Sequence, residues 1–324
     1  MFTRQQLAAF YDLCGFKYMP MVQYSLLIGL LAPLTDASVE LSVLSLQAAV
    51  KAMLFVAACQ VTAELTNNFF DYEGDLLNSK RTEWNGGSNA LVQGILSLRV
   101  AIWGALLLSV ATVTTILLEI ALDPTSVFWQ PWIIRLMIIG MFSVWQYAGP
   151  PFRLQYNGFG EFVTASVEGI FVPMMGAVIV NPHGDDLVLP SVLNWQLFSL
   201  LFTVFFIKTV TKNIPDIEAD LQVNKNTFTS RIGISNAASL FILGQNYLII
   251  GPVLYCLTGV MHPIMSAAFL VLAPRANAVA AKMWKYDSTR CDKLLAQLPG
   301  DCVAQCMAVQ TTVLASTIAM IVLS

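Results

Sequence analysis

The sequence predicts an all-α integral membrane protein with nine membrane-spanning helices, and three observations predict it. Of the 324 residues, 56% are hydrophobic and only 11% are charged, against about 25% charged in soluble domains. The apolar residues fall into blocks of roughly the 20 residues that a helix needs to cross about 30 Å of hydrocarbon. Lys and Arg gather on alternate sides of those blocks, the asymmetry that orients membrane helices.

Residues 1–12 carry Arg4 and Asp12 and lack the basic-then-apolar pattern of a cleaved signal. Phe2, Leu7, Phe10 and Leu13 are spaced to lay a short helix on the membrane surface. The apolar blocks then run 18–34, 44–66, 99–121, 127–148, 162–181, 192–211, 238–260, 263–281 and 303–323. With the N-terminus in the cytoplasm, the inner side receives Arg4, Lys17, Lys80, Arg81, Arg99, Arg153, Lys208, Lys212, Lys225, Arg231, Lys282, Lys285, Arg290 and Lys293. The outer half keeps Lys51 and Arg135, while Arg275 falls within the eighth block. Asp36, Glu40, Asp123, Asp185 and Asp186 fall in outer loops, which adds little because acids hardly set topology. The expected protein is multi-pass, with its partner the lipid bilayer; the net charge of −3 gives no reason to expect nucleic acid.

Two acidic clusters interrupt this pattern, and both come out on the cytoplasmic side. They are Asn67-Asn68-Phe69-Phe70-Asp71-Tyr72-Glu73-Gly74-Asp75 and Asn213-Ile214-Pro215-Asp216-Ile217-Glu218-Ala219-Asp220. Carboxylates in so apolar a chain need a compensating cation. Asn67, Asp71 and Asp75 recur every four residues, so on a helix they share one face and present oxygen ligands to a divalent metal. Asp216 and Asp220 repeat the step, with Asn213 three positions before. Two such faces suggest one shared Mg²⁺-diphosphate site.

Other chemistry finds no foothold. Cys14, Cys59, Cys256, Cys291, Cys302 and Cys306 are scattered and form no Cys-x-x-Cys pair, so they are expected to be reduced packing residues. The two histidines, His183 and His262, fall on the outer side, away from the acids, which removes zinc chemistry and a histidine base there. No GxxxxGK[ST] loop and no GxGxxG after a strand is present. Phosphate chemistry therefore has to rest on carboxylate-held metal with Lys and Arg.

The second and sixth blocks both end in an Asn/Asp cluster with the same polarity. This suggests a single membrane domain over 1–324 in which helices 1–4 and 5–8 are pseudo-repeats and helix 9 is appended. Each cluster is followed by a polar, basic inner loop, 76–98 and 221–235. These loops are candidate lids, against the plainer reading of solvent-exposed connections.

The stretch NNFFDYEGD at 67–75 resembles the NxxxDxxxD signature of the UbiA superfamily of intramembrane prenyltransferases, and KNIPDIEAD at 212–220 resembles its second Asp-rich signature. In order follow GGSNALVQG at 86–94, YAGPPFRLQYNGFGE at 147–161 and NKNTFTSRIG at 224–233. The last two, with NIPDIEAD, are most similar to the 1,4-dihydroxy-2-naphthoate prenyltransferase branch. Departures from the family pattern are Pro215 where Arg is usual, Asn224 for the Gly of a Gly-Lys pair, Phe228 for Leu, and Lys17 where the first helix usually begins with Arg-Pro.

The resemblance implies a UbiA-like bundle with a cytoplasm-facing site that binds a prenyl diphosphate, Mg²⁺ and an aromatic acceptor. The product would be a membrane quinone precursor of the menaquinone kind. Asn67, Asp71 and Asp75 would hold one Mg²⁺ and Asp216 with Asp220 another. Arg81, Arg153, Lys212 and Lys225 would stabilise charge on the departing diphosphate; their plainer reading is topology and headgroup contact. Phe69, Phe70, Tyr72, Tyr147 and Tyr156 would shelter the allylic cation, or serve as ordinary packing. Glu64 and Glu168, acids within apolar blocks, are costly there and would hydrogen-bond the acceptor or act as base, while Glu119 reaches water. Two other readings share these features: a membrane terpene cyclase with the same ionisation, and a secondary transporter with intramembrane acids.

Overall fold

The protein, as a computed structural model, is described for residues 3–36, 39, 42–180 and 192–323. Phe2, Glu40, His183, Asp185 and Asp186 lie outside the described residues. Fourteen α-helices and no strand occur among those described. They are α1 (Arg4–Leu13), α2 (Met19–Leu31), α3 (Val43–Phe70), α4 (Tyr72–Leu77), α5 (Asn89–Val92), α6 (Leu98–Leu122), α7 (Pro131–Ala148), α8 (Gly160–Ser166), α9 (Val172–Val180), α10 (Val192–Lys212), α11 (Ile217–Gln222), α12 (Phe228–Leu257), α13 (Pro263–Thr289) and α14 (Asp292–Leu323). A π-helical segment, Val167–Phe171, joins α8 to α9.

Eight stretches among the described residues are long and apolar enough to cross a membrane, so the protein is a multi-pass membrane protein. The block expected at 127–148 is α7, whose 18 residues include Arg135 stacked on Trp132 at 5.1 Å. Several helices outrun their apolar blocks. Helix α3 continues to Phe70 and so carries Asn67, and α12 starts at Phe228, ahead of 238. At α3 the polar end is turned inward, with Asn68 buried; at α12 the added segment is set off by a kink at Gly233 (φ 75°, ψ 170°) and exposes Arg231, Ser235 and Asn236. The N-terminal helix is present with a capping box between Thr3 and Gln6. Leu7 and Phe10 are exposed, but Leu13 is fully buried in the protein.

Packing is that of a membrane bundle. Helix α2 lies against α9, α3 against α6 and α7, and α10 against α8, α12 and α14. A Cβ on Gly29 would sit 1.9 Å from the Pro173 carbonyl oxygen, and one on Gly176 would sit 2.6 Å from that of Leu26. The two backbones touch there, which is how small residues hold helices together where lipid offers no hydrophobic drive. Leu107, Leu118 and Leu122 on α6 are exposed, as expected of a lipid-facing helix. At the end of the bundle away from the acidic clusters, Lys51 and Glu119 form an ion pair, and Ser126 Oγ donates to Glu119 at 3.2 Å. Glu119 is therefore partnered, not simply solvated. All six cysteines are free.

Candidate active site

Both acidic clusters straddle a helix break. Helix α3 ends at Phe70, and Asp71 (φ −92°, ψ 0°) bends the chain into α4 without breaking the hydrogen-bond sequence: Asp71 N donates to Asn67 O and Asp75 N to Asp71 O, both at 2.9 Å. Asn67, Asp71 and Asp75 therefore keep their common face. In the second cluster Pro215 sits in a 3₁₀ turn, Ile214–Asp216, between α10 and α11. Helices α4 and α11 pack together, which brings the two faces into one polar cavity of about 90 Å³.

Asp71, Asp75, Asp216, Asp220, Asn67, Lys212, Lys225, Tyr147 and Glu64 all line this cavity. Lys225 lies between the clusters, its Nζ 2.8 Å from Asp71 Oδ2 and 3.3 Å from Asp220 Oδ1. Burial works against its charge, but Asp71 and Asp220 outweigh it and hold the lysine well above its ordinary pKa. Gln155 Nε2 donates to Asp71 Oδ1 at 2.7 Å, while Asn78 and Asn85 donate to Asp216 Oδ1 at 2.5 and 2.7 Å. Asn224 takes φ 55° before Lys225, the left-handed conformation that Gly adopts freely and Asn tolerates. This accounts for Asn at the position where the family pattern has Gly.

Two of the expected basic residues are elsewhere. Arg153 is exposed, and its guanidinium stacks on the Tyr156 ring at 4.0 Å. Arg81 does not line the cavity; its Nη1 donates to the Asp75 carbonyl at 3.3 Å and its Nη2 to the Gly87 carbonyl at 3.1 Å and Asn89 Oδ1 at 3.3 Å, all within its own loop. Lys208, counted among the inner-side charges, is instead buried within α10 and paired with Glu168 at 2.9 Å. Conversely, Asp12, Lys17, Asn78, Asn85 and Gln155 line the cavity though sequence reading gave them no site role. Neutral amides carry no charge signal, but Gln155 lies inside the 147–161 stretch. Glu161 in the same stretch is fully buried. It accepts from Asn213 Nδ2 at 3.0 Å, from Thr229 N and Oγ1 at 3.1 and 2.9 Å and from Phe228 N at 3.2 Å. A carboxylate at the start of α12 is stabilised there, and it fixes Asn213 at the cavity.

A second cavity, of about 180 Å³, lies deeper among the spanning helices, walled by residues such as Phe55, Val56, Leu136, Phe171 and Met175. Six residues line both cavities: Tyr18, Glu64, Asn67, Tyr147, Lys212 and Asn213. They form a neck between a carboxylate-rich chamber and an apolar one. Lys212 Nζ stands 4.4 Å over the Tyr18 ring, and Gln60 Nε2 donates to Glu64 Oε1 at 3.2 Å.

Among the described residues, no three His, Cys, Asp or Glu side chains stand close enough to form a closed metal cage. The donors fit Mg²⁺ nonetheless, because that ion is commonly held by one or two carboxylates, waters and substrate phosphates. Asn67 Oδ1 is buried without a hydrogen-bond partner, an orphaned oxygen at the neck that a cation would satisfy.

Asp75 is pushed up to about 8 from the ordinary 3.8, by burial first and then by the Asp71 carboxylate. Folding therefore favours its protonated form. The resulting stability is complete below pH about 4 and is lost as pH rises through about 8. Metal-free protein is expected to show a Tm that falls between about pH 4 and pH 8 and levels above it, with Asp75→Asn flattening that fall. A wild-type Tm that is level or rising over this window would contradict it.

The sequence profile of the UbiA prenyltransferase family matches residues 30–298. No curated protein matches by sequence. Among solved structures, the fold is similar to that of a digeranylgeranylglyceryl phosphate synthase, with TM-score 0.59, 15% identity, and 97% of this chain and 99% of that one covered. It is similar also to an apo UbiA homologue from Aeropyrum pernix K1, with TM-score 0.59, 16% identity, and 88% and 96% covered. A UbiA homologue from Archaeoglobus fulgidus bound to DMAPP and Mg²⁺ gives TM-score 0.52, 16% identity, and 97% and 99% covered. At such identities the structural likeness speaks for the fold, and the profile match over most of the chain speaks for descent: the protein belongs to the UbiA prenyltransferase family.

Proposed function

We propose that this prenyltransferase moves a prenyl group from a prenyl diphosphate to an aromatic ring of the 1,4-dihydroxy-2-naphthoate kind, with Mg²⁺, at the cytoplasmic face of a membrane. One observation carries the reading: a carboxylate-lined cavity and an apolar-walled cavity inside the bundle adjoin, with six lining residues in common. A prenyl diphosphate has an anionic head and a hydrocarbon tail, and this arrangement suits both ends at once. Family membership sets the transporter reading aside. The naphthoate branch is supported by the 147–161 stretch that resembles it, since Gln155 and Glu161 of that stretch reach Asp71 and Asn213.

Asn67, Asp71 and Asp75 on one side and Asp216 and Asp220 on the other would hold Mg²⁺. The ion, when bound, neutralises diphosphate and draws charge from its leaving oxygen. Lys212, Lys225 and Lys17 supply positive charge fixed in place before the reaction, which is worth most where diphosphate charge grows. Tyr147 at the neck would shelter the allylic cation and exclude water, while the Tyr18 ring holds the Lys212 ammonium in place. The ring carbon of the acceptor then attacks that cation, and the ring regains aromaticity by losing the proton, or the carboxyl group as CO₂, from that carbon.

Purified protein given a prenyl diphosphate and Mg²⁺ is expected to release diphosphate and, with 1,4-dihydroxy-2-naphthoate present, to form a prenylated naphthalene seen by mass spectrometry. Cyclised hydrocarbon formed regardless of acceptor would replace this reading with the terpene cyclase. Orientation has its own test. The N-terminus and the loops near 80, 155, 225 and 288 are expected in the cytoplasm, with the C-terminus opposite. A cysteine at 225 or 288 labelled from outside intact cells would reverse it.

A further inference from the structure

The polar face of α10 does not stop at the neck. Lys208, Lys212, Asp216 and Asp220 follow one another at four-residue steps. The first step, within α10, puts Lys208 about 6 Å deeper than Lys212 at the neck, in the wall of the apolar chamber, with its Nζ 2.9 Å from Glu168 Oε2 and 4.6 Å from the Phe205 ring centre. Glu168 lines the same chamber from the π-helical segment, a distortion frequent at functional sites. The segment is pressed onto α10 at the next residue, where a Cβ on Gly169 would stand 2.5 Å from Phe202 N. That contact fixes Glu168 beside Lys208.

An ion pair inside an apolar bundle is expensive to desolvate, and a hydrocarbon tail gains nothing from it. The polar groups below the neck therefore answer to the other substrate. Lys208 has donors to spare beyond the one given to Glu168. Glu168 Oε1 takes no hydrogen bond among the described residues. A ring bearing an acidic group beside a hydroxyl matches this pair, its carboxylate accepting from the ammonium and its hydroxyl donating to Glu168. Glu64, at the neck, lies between this pair and the diphosphate chamber.

We propose that Glu168 and Lys208 are the acceptor's polar anchor, setting a preference for hydroxylated aromatic carboxylates over rings without the carboxyl group. This rests on the acceptor reading above. The test uses the full-length purified protein with Mg²⁺ and a prenyl diphosphate. The acceptors compared are 1,4-dihydroxy-2-naphthoate and 1,4-dihydroxynaphthalene. The variants are Glu168→Gln, which keeps shape, and the double variant Glu168→Leu/Lys208→Met, which removes both charges and leaves neither buried alone. The double variant is expected to raise the KM for the carboxylated ring by about 10-fold or more and to erase the preference over the uncarboxylated one. The KM for prenyl diphosphate and the acceptor-free release of diphosphate should stay within about twofold. Glu168→Gln should raise the KM for both rings, since both carry the hydroxyl. A double variant with unchanged acceptor KM and preference overturns the anchor and leaves the acceptor reading standing. Wild-type protein that releases diphosphate but prenylates neither ring overturns both. A merely structural pair would alter both substrates' KM together or neither, and either result counts against the proposal.

Discussion

Asp71→Asn and Asp216→Asn are each expected to lower kcat by roughly 10²–10³-fold, the scale of losing one group that stabilises transition-state charge. The protein should remain folded and membrane-inserted. Asp71 is the more connected of the two: it accepts from Lys225 at 2.8 Å and Gln155 at 2.7 Å. An amide there keeps the shape but withdraws the charge that holds Lys225 in the cavity, so metal and lysine are both disturbed. Asp216 is held by Asn78 and Asn85, two donors that an Asn side chain satisfies through its oxygen, so its loss is almost purely one of charge. Mg²⁺-dependent diphosphate release by purified protein is the measurement, with thermal unfolding as the control for fold. Either variant turning over at near wild-type rate in saturating Mg²⁺ would show that the two clusters are not the metal site.

Much of this arrangement was legible in the chain because it rests on period and charge. Four-residue spacing survives a helix bend, so Asn67, Asp71 and Asp75 keep one face even though α3 ends before Asp71. Less legible were matters settled by contact between distant segments. Lys208 reads as one more inner-side cation until α8 and the π-helical segment pack on α10 and deliver Glu168 to it. Arg81 reads as a diphosphate ligand because it is basic and near the first cluster. In the folded loop its Nη1 and Nη2 donate to the Asp75 and Gly87 carbonyls, which nothing in the sequence announces. Asn78 and Asn85 lie 138 and 131 positions from Asp216, and an uncharged amide gives no sign in sequence of which carboxylate it serves. The start of α12 was hard to read for a related reason: Thr229 is buried against Glu161, a contact set by the distant 147–161 stretch, while the kink at Gly233 separates that turn from the apolar block.

Gly87→Ala is expected to cost more than its size suggests, and Gly94→Ala supplies the comparison. Both glycines lie in the loop after the first cluster and both have positive φ, 72° and 69°. Each substitution therefore carries a similar strain of roughly 1–2 kcal/mol for a left-handed alanine. Their surroundings differ. A Cβ on Gly94 meets nothing within 4 Å, whereas one on Gly87 would lie 1.8 Å from Asp75 Oδ2 and 2.3 Å from Asp75 Cγ. Gly87 is thus the bare backbone against which the Asp75 carboxylate rests, and its carbonyl also accepts from Arg81. A methyl group there has to displace the carboxylate, the loop, or both. Displacement of about 1 Å near a reacting centre costs on the order of 10²-fold in rate. Gly87→Ala should lower kcat by about that factor and weaken the apparent affinity for Mg²⁺, while Gly94→Ala should lose a little thermal stability and keep its rate. Because backbone strain is common to both, the difference between them isolates contact with Asp75. Equal activity in the two variants would mean that Asp75 needs no such support from Gly87.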